Sequence, residues 1–168
     1  LGVLTNPLQV RFFRALEGFA YRTADVVTVH SEGNQKTVLK QYPDLVDKLH
    51  ILYNWVDVDH HNRDLAHIDY RKKWNIRQKY VAVFAGVMGQ SQYLTLLLHV
   101  AEQMQNETEL LFLLVGDGKE KKKLQNIAKD KSLDNVLFED FIARETFPDL
   151  LLICSIGLVC LSPENKTP

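Results

Sequence analysis

Cysteine is scarce in this 168-residue sequence, with two residues, Cys154 and Cys160, both inside the apolar run LLLICSIGLVCL. A disulfide framework is excluded as the organising principle, and both thiols read as small buried hydrophobes suited to a reducing compartment. The run is 12 residues long, short of the roughly 18 that a membrane-spanning helix requires. Charge of one sign is also missing. A formal net charge of -1 gives no general attraction for nucleic acid, so nucleic acid is not an expected partner and any anionic ligand must be held by local geometry. No signal peptide, low-complexity tract or GxSxG elbow is visible, and neither glycine loop completes GxGxxG, which argues against a nicotinamide-cofactor dehydrogenase. His60, His61 and His67 lack the spacing of a zinc site and read as solvated linker residues, so no metal is expected. The chain opens on Leu1 and closes in the turn-like SPENKTP, which we read as a fragment of a longer protein.

What is present is a regular alternation. Leu8 to Arg22 has Leu8, Phe12, Leu16, Phe19 and Ala20 at helical spacing, predicting an amphipathic helix packed by its apolar side, with Arg11, Arg14 and Glu17 solvated. Ala24 to His30 reads as a short buried strand. Ser31 then caps a helix running to about Gln41, and His50 to Tyr53 reads as another strand. The polar stretch after Asn54 looks like a crossing between domains.

From Tyr80 the pattern predicts strand Val81–Ala85, helix Gln92–Gln105, strand Leu110–Val115, helix Lys119–Asp130, strand Val136–Glu139, helix Glu145–Leu151 and strand Ile156–Leu161. Strands alternating with helices imply an α/β fold with parallel sheets, joined by right-handed crossovers. Leu94, Leu97, Leu98, Ala101 and Met104 form the buried stripe of the first helix.

In such a sheet ligands collect beyond the carboxyl ends of the strands, here the loops Gly86–Ser91, Gly116–Gly118 and Asp140–Glu145. Their glycines let backbone amides approach an anion, aided by a helix N-terminus. Of Lys119, Lys121, Lys122 and Lys123, at most one or two can reach that edge, because successive helical residues point in different directions. Glu139 and Asp140 are adjacent at a strand end, point to opposite faces and make a poor catalytic pair.

The succession ADVVTVHSEG, LHILYNWVDVD, VFAGVMGQSQ, LFLLVGDGKEKKKL, NVLFEDFI and IGLVCLSPEN resembles family 4 glycosyltransferases of the GT-B fold, and within them the colanic-acid and O-antigen enzymes. The resemblance implies three regions: 1–53 as the end of an amino-terminal, acceptor-side Rossmann-like domain, 54–79 as a linker, and 80–168 as the start of a donor domain. It implies that Gly86, Met88 and Gly89 lie near the donor diphosphate, Gly116 and Gly118 form the second glycine loop, Phe141 and Ile142 meet the nucleobase through their backbone, and Glu164 meets the donor sugar. The family's usual histidine would fall before Leu1 and its second motif glutamate after Pro168, so no catalytic residue is assigned. Many relatives carry an arginine just after the position of Gly86 and a lysine about six residues on, where this chain has Val87 and Gln92 or Tyr93.

The implied activity is transfer of a sugar from a nucleotide-sugar donor to a glycan or lipid-linked acceptor in bacterial polysaccharide synthesis, without a metal or other cofactor. The implied location is the cytoplasm, with peripheral contact at the inner face of the cell membrane left open. Two alternatives are a GT-B-like sugar-nucleotide epimerase and a degenerate, non-catalytic nucleotide-sugar-binding partner module.

Overall fold

A computed structural model describes residues 6–56 and 68–162, which fall into two compact units, 6–56 and 68–162. In the first, α1 (Pro7–Thr23) starts where the Asn6 side chain accepts from the Leu8 amide, with Pro7 at the first helical position, where its missing N–H costs nothing. Strand β1 (Val27–Val29), helix α2 (Glu32–Gln41) and strand β2 (Leu49–Ile51) follow. Val27 to Val29 pairs in parallel with Leu49 to Ile51. The Ser31 hydroxyl accepts from the Asn34 amide at 3.2 Å, as an N-cap should. Lys48 Nζ donates to the Arg22 and Ala24 carbonyls, each at 2.8 Å, closing the C-terminal end of α1.

The core of this unit is small: Val27, Tyr42, Leu45 and Leu49, with Tyr21, Ala24, Val29, Val38 and Leu39 packed around them. Tyr42 donates to Glu17 Oε2 at 3.2 Å, and its ring meets Tyr21 edge-on at 5.3 Å. The prediction that α1 packs by its apolar side needs correcting. Leu8, Phe12, Leu16 and Phe19 are exposed, and the helix instead buries Gly18 against Tyr42 and Arg22, where even a Cβ would be crowded.

In the second unit, α3 (Tyr70–Lys73) precedes β3 (Tyr80–Ala85), α4 (Thr95–Gln103), β4 (Leu110–Val115), α5 (Lys121–Asp130), β5 (Val136–Glu139), α6 (Phe147–Ile153) and β6 (Ile156–Gly157). The strands form one parallel sheet in the order β5-β4-β3-β6. Side-chain alternation sends Ala82, Phe84, Phe112 and Leu114 to one face, under Leu94, Leu97, Leu98, Ala101 and Leu124. Val81, Val83, Leu111, Leu113 and Val115 go to the other, under Tyr70, Ile76, Leu150 and Ile153. The sheet is thus covered on both faces, which explains why β3 and β4 read as continuous apolar runs. Residues 68–79, expected as the end of a linker, carry a helix and supply Tyr70 and Ile76 to this core.

The last strand is shorter and less buried than predicted. Pairing is confined to Ile156 and Gly157, which meet Ala82 and Val83, and Ile156 and Val159 are exposed. Among the described residues this is an edge strand with a partner on one side only. Cys154 and Cys160 are accordingly half-buried. Leu158 and Cys160 still pack against the core, and burial pushes the Cys160 thiol up from its ordinary value.

Candidate functional site

The three loops named from sequence do lie at one edge, because β3, β4 and β5 are parallel and end together. The first two are zipped to each other. Past the paired strands, Gly86 N donates to Val115 O at 3.0 Å, Met88 N to Asp117 O at 2.7 Å, and Glu120 N to Met88 O at 3.0 Å. Gly116 and Gly118, with φ of 140° and 152°, occupy backbone space that other residues rarely enter. A Cβ on Gly116 would sit 2.0 Å from Gly86 O, and one on Gly118 2.4 Å from Met88 O. The close approach these glycines permit is that of the neighbouring loop.

Several amides at the edge are therefore already used. Gly116 N donates to Glu139 O at 3.1 Å, and Gly118 N to Asp117 Oδ1 at 2.7 Å. Met88 has its side chain fully buried and both backbone groups bonded, so it locks the loops together. Gly89 closes a turn on Val87, which is 71% exposed and adds no charge to this loop. Phe141 projects to solvent at the end of β5, and Ile142 packs back on the core.

The sheet order adds what periodicity could not show. The chain moves outward from β3 to β4 to β5 and then returns across the sheet to place β6 on the other side of β3. Strand order reverses at β3/β6, the kind of position where open parallel sheets bind ligands. The loop following β3 and the segment following β6 meet there: Ser162 N donates to Ser91 O at 2.8 Å. Glu164 lies two residues further on, outside the described residues, as do His60, His61 and His67, and the Asp57-Val58-Asp59 triplet, whose letters match an Asp-x-Asp metal motif. Between Ser91 and α4, Tyr93 adopts the left-handed conformation, φ 47° and ψ 43°, closing a 3-10 turn over Gln90–Gln92. This is a rare conformation for a bulky residue.

Among the four lysines near the second loop, Lys121 is bonded to groups at the strand ends. Its ammonium donates to Gly116 O at 2.9 Å, Glu139 O at 3.0 Å and Asp140 Oδ1 at 2.5 Å. The side chain is 11% exposed, whereas Asp140 is 97% exposed. Lys123 is paired to Glu120 at 2.9 Å. The hydrogen bond and charge of Lys121 hold the Asp140 carboxyl below its usual range. Glu139 shifts the other way, raised by burial and then by Asp140, with Lys73 and Lys121 opposing. Of the two carboxylates, Asp140 is the one bonded to Lys121, while Lys73 and Lys121 only partly offset the effect of burial on Glu139. Sequence reasoning had not separated Lys121 from its neighbours. The available signal was its place three residues after Gly118, at the start of the helix.

Comparison with known proteins agrees with this architecture. Residues 67–165 match the family described as Glycosyl transferases group 1. YtcC of Bacillus subtilis (strain 168), provisionally named a glycosyltransferase, is 25% identical over 155 residues, covering 84% of this chain and 38% of its own length. HepE of Anabaena, solved with UDP and glucose, superposes with a TM-score of 0.72 at 20% identity over 88% of this chain and 41% of that one. WaaG, described as a glycosyltransferase involved in lipopolysaccharide biosynthesis, gives 0.66 at 16% identity over 80% and 37%. The chain spans well under half the length of each of these relatives.

Proposed function

This chain belongs to the group 1 glycosyl transferases, and from that premise we propose that it supplies the donor side of an enzyme transferring a sugar from a nucleotide-sugar to a glycan or lipid-linked acceptor. The observation that carries the reading is the reversal of strand order at β3/β6, where the Gly86–Ser91 loop is bonded to Ser162 just ahead of Glu164. The family 4 assignment, and within it the colanic-acid and O-antigen type, is supported by the NWVD and LSPEN segments. In this reading Gly86, Gly89, Gly116 and Gly118 shape the diphosphate side, Met88 locks it, Phe141 and Ile142 present backbone to the base, and Glu164 meets the sugar.

Chemically, departure of a nucleoside diphosphate develops negative charge that preorganised donors must stabilise. HepE, with the same fold, has been solved with UDP-glucose, which makes uridine donors the first to test. The domain reading is part of the proposal: 1–53 as the end of an acceptor-side domain, 54–79 as a linker and 80–168 as the start of a donor domain. Among the described residues no helix is long and apolar enough to cross a membrane, and placement in the cytoplasm, with or without peripheral membrane contact, is part of the proposal. Calorimetric titration of the full-length protein with UDP-glucose should give saturable binding, and sugar transfer should require an added acceptor. Absence of binding to any of the UDP-, GDP- and ADP-sugars would overturn the reading. Conversion of the donor without an acceptor would indicate an epimerase.

One observation favours the second reading of a binding module without catalysis. Val87 leaves the first loop without a cation, and the Lys121 ammonium already has three acceptors. Val87→Arg with Gln92→Lys should then create transfer in an otherwise silent protein.

A further inference from the structure

Lys121 sits where a lysine is electrostatically out of place. It opens α5, and the first turn of that helix carries Lys121, Lys122 and Lys123 with no acidic residue, although the helix dipole disfavours cations there. Its three N–H groups meet three acceptors, Gly116 O, Glu139 O and Asp140 Oδ1, which exhausts its donor capacity. It is therefore not a free cation waiting for a phosphate. Two of the acceptors are main-chain carbonyls at the ends of β4 and β5, of which Glu139 O also accepts from Gly116 N at 3.1 Å. The third is a carboxylate standing almost fully in solvent on the same edge.

We propose that Lys121 is a positioning residue of the donor edge: it ties the loop after β4 to the loop after β5 and neutralises Asp140, so that an anionic diphosphate meets an edge free of uncompensated acceptors. The proposal rests on the donor-site reading above and deepens it by naming how the edge tolerates the ligand's charge. Two effects follow from one ammonium. Geometrically, Gly116 and Asp140 are held at a fixed separation. Electrostatically, an anion approaching the edge is spared repulsion from Asp140 and from the Gly116 carbonyl dipole.

The test uses the full-length protein and its Lys121→Met, Asp140→Asn and doubly substituted forms, titrated with UDP and separately with uridine, and followed by amide hydrogen exchange. Lys121→Met should weaken UDP by about tenfold or more, as expected for loss of a charge-assisted contact that leaves a carboxylate uncompensated. Uridine should change by less than about threefold, because it carries no charge to repel. Asp140→Asn alone should tighten UDP, and adding it to Lys121→Met should recover a large part of the loss, a non-additivity that a merely structural lysine would not produce. Exchange across 116–118 and 140–142 should quicken in Lys121→Met. Equal weakening of UDP and uridine with no recovery in the double variant, or unchanged exchange in these segments, would overturn the proposal. A wild-type protein that ignores UDP would overturn the uridine-donor reading instead, and the exchange measurement would still decide whether the tie exists.

Discussion

In the first unit Lys48 bonds carbonyls at the C-terminal end of α1, where the helix dipole welcomes a cation, whereas in the second Lys121 bonds strand-end carbonyls from the first turn of α5, where the dipole opposes it. The one contact works with the local helix preference. The other works against local helix preference at the edge where the loops converge, the kind of local conflict expected at a site. The cores differ in the same direction. The first unit buries four hydrophobic residues, two of them in its two-stranded sheet, and leaves the phenylalanines of α1 in solvent. The second covers both faces of its two central strands, β3 and β4, and spends its glycines on bringing loops together.

The contrast is broken most forcefully at Gly116. Gly116→Val places a branched side chain into Gly86 O and demands a disfavoured φ, so it should cost the second unit about 3 kcal/mol or more. Urea unfolding followed by Trp74, which stacks on Tyr70 at 4.3 Å, reads that unit. A loss below about 1 kcal/mol would mean the loops are not zipped as described.

A smaller effect sharpens the other side of the comparison. Tyr42 and Tyr21 are raised above their ordinary value of 10.0, by burial first and then by Glu17. Groups shifted upward contribute stability that is complete below the unfolded value and lost as pH rises through the folded one. The first unit should therefore loosen above about pH 10, and Tyr42→Phe should remove part of that alkaline dependence. Hydrogen exchange of the β1 and β2 amides as pH rises measures it; identical profiles with and without the Tyr42 hydroxyl would contradict it. Least of all should come from Phe12→Gln, where an exposed side chain predicts a change within about 0.5 kcal/mol in thermal unfolding. A loss of core size there would show that something covers α1.

These differences also explain how much could be read from sequence. Strands Leu110–Val115 and Val136–Glu139 have the limits their apolar runs suggest, since burial on both faces leaves a bounded signal. Helix α4 begins at Thr95, three residues later than its periodicity implies, because the Gln90–Gln92 turn and the left-handed Tyr93 intervene. Helix α6 is similarly delayed to Phe147 by the Arg144–Thr146 turn. Periodicity identified the residues sharing a face of α1 but carries no information about what covers them. For the candidate site, the loops and their common edge were legible, while the role of Gly116 and Gly118 was not. A glycine announces close approach, and only coordinates say what approaches.

The return of the chain to place β6 beside β3 also bears on the order of assembly. Ala82 pairs with Phe112 on one side and with Ile156 on the other, a far longer loop to close. Closing the longer loop costs more entropy before its contacts repay it. During synthesis the two glycine loops can therefore zip once Glu120 has emerged, whereas the crevice at β3/β6 must wait for β6. The β3/β6 side of the sheet would then form after the zipped loops, and open first when β6 frays from β3.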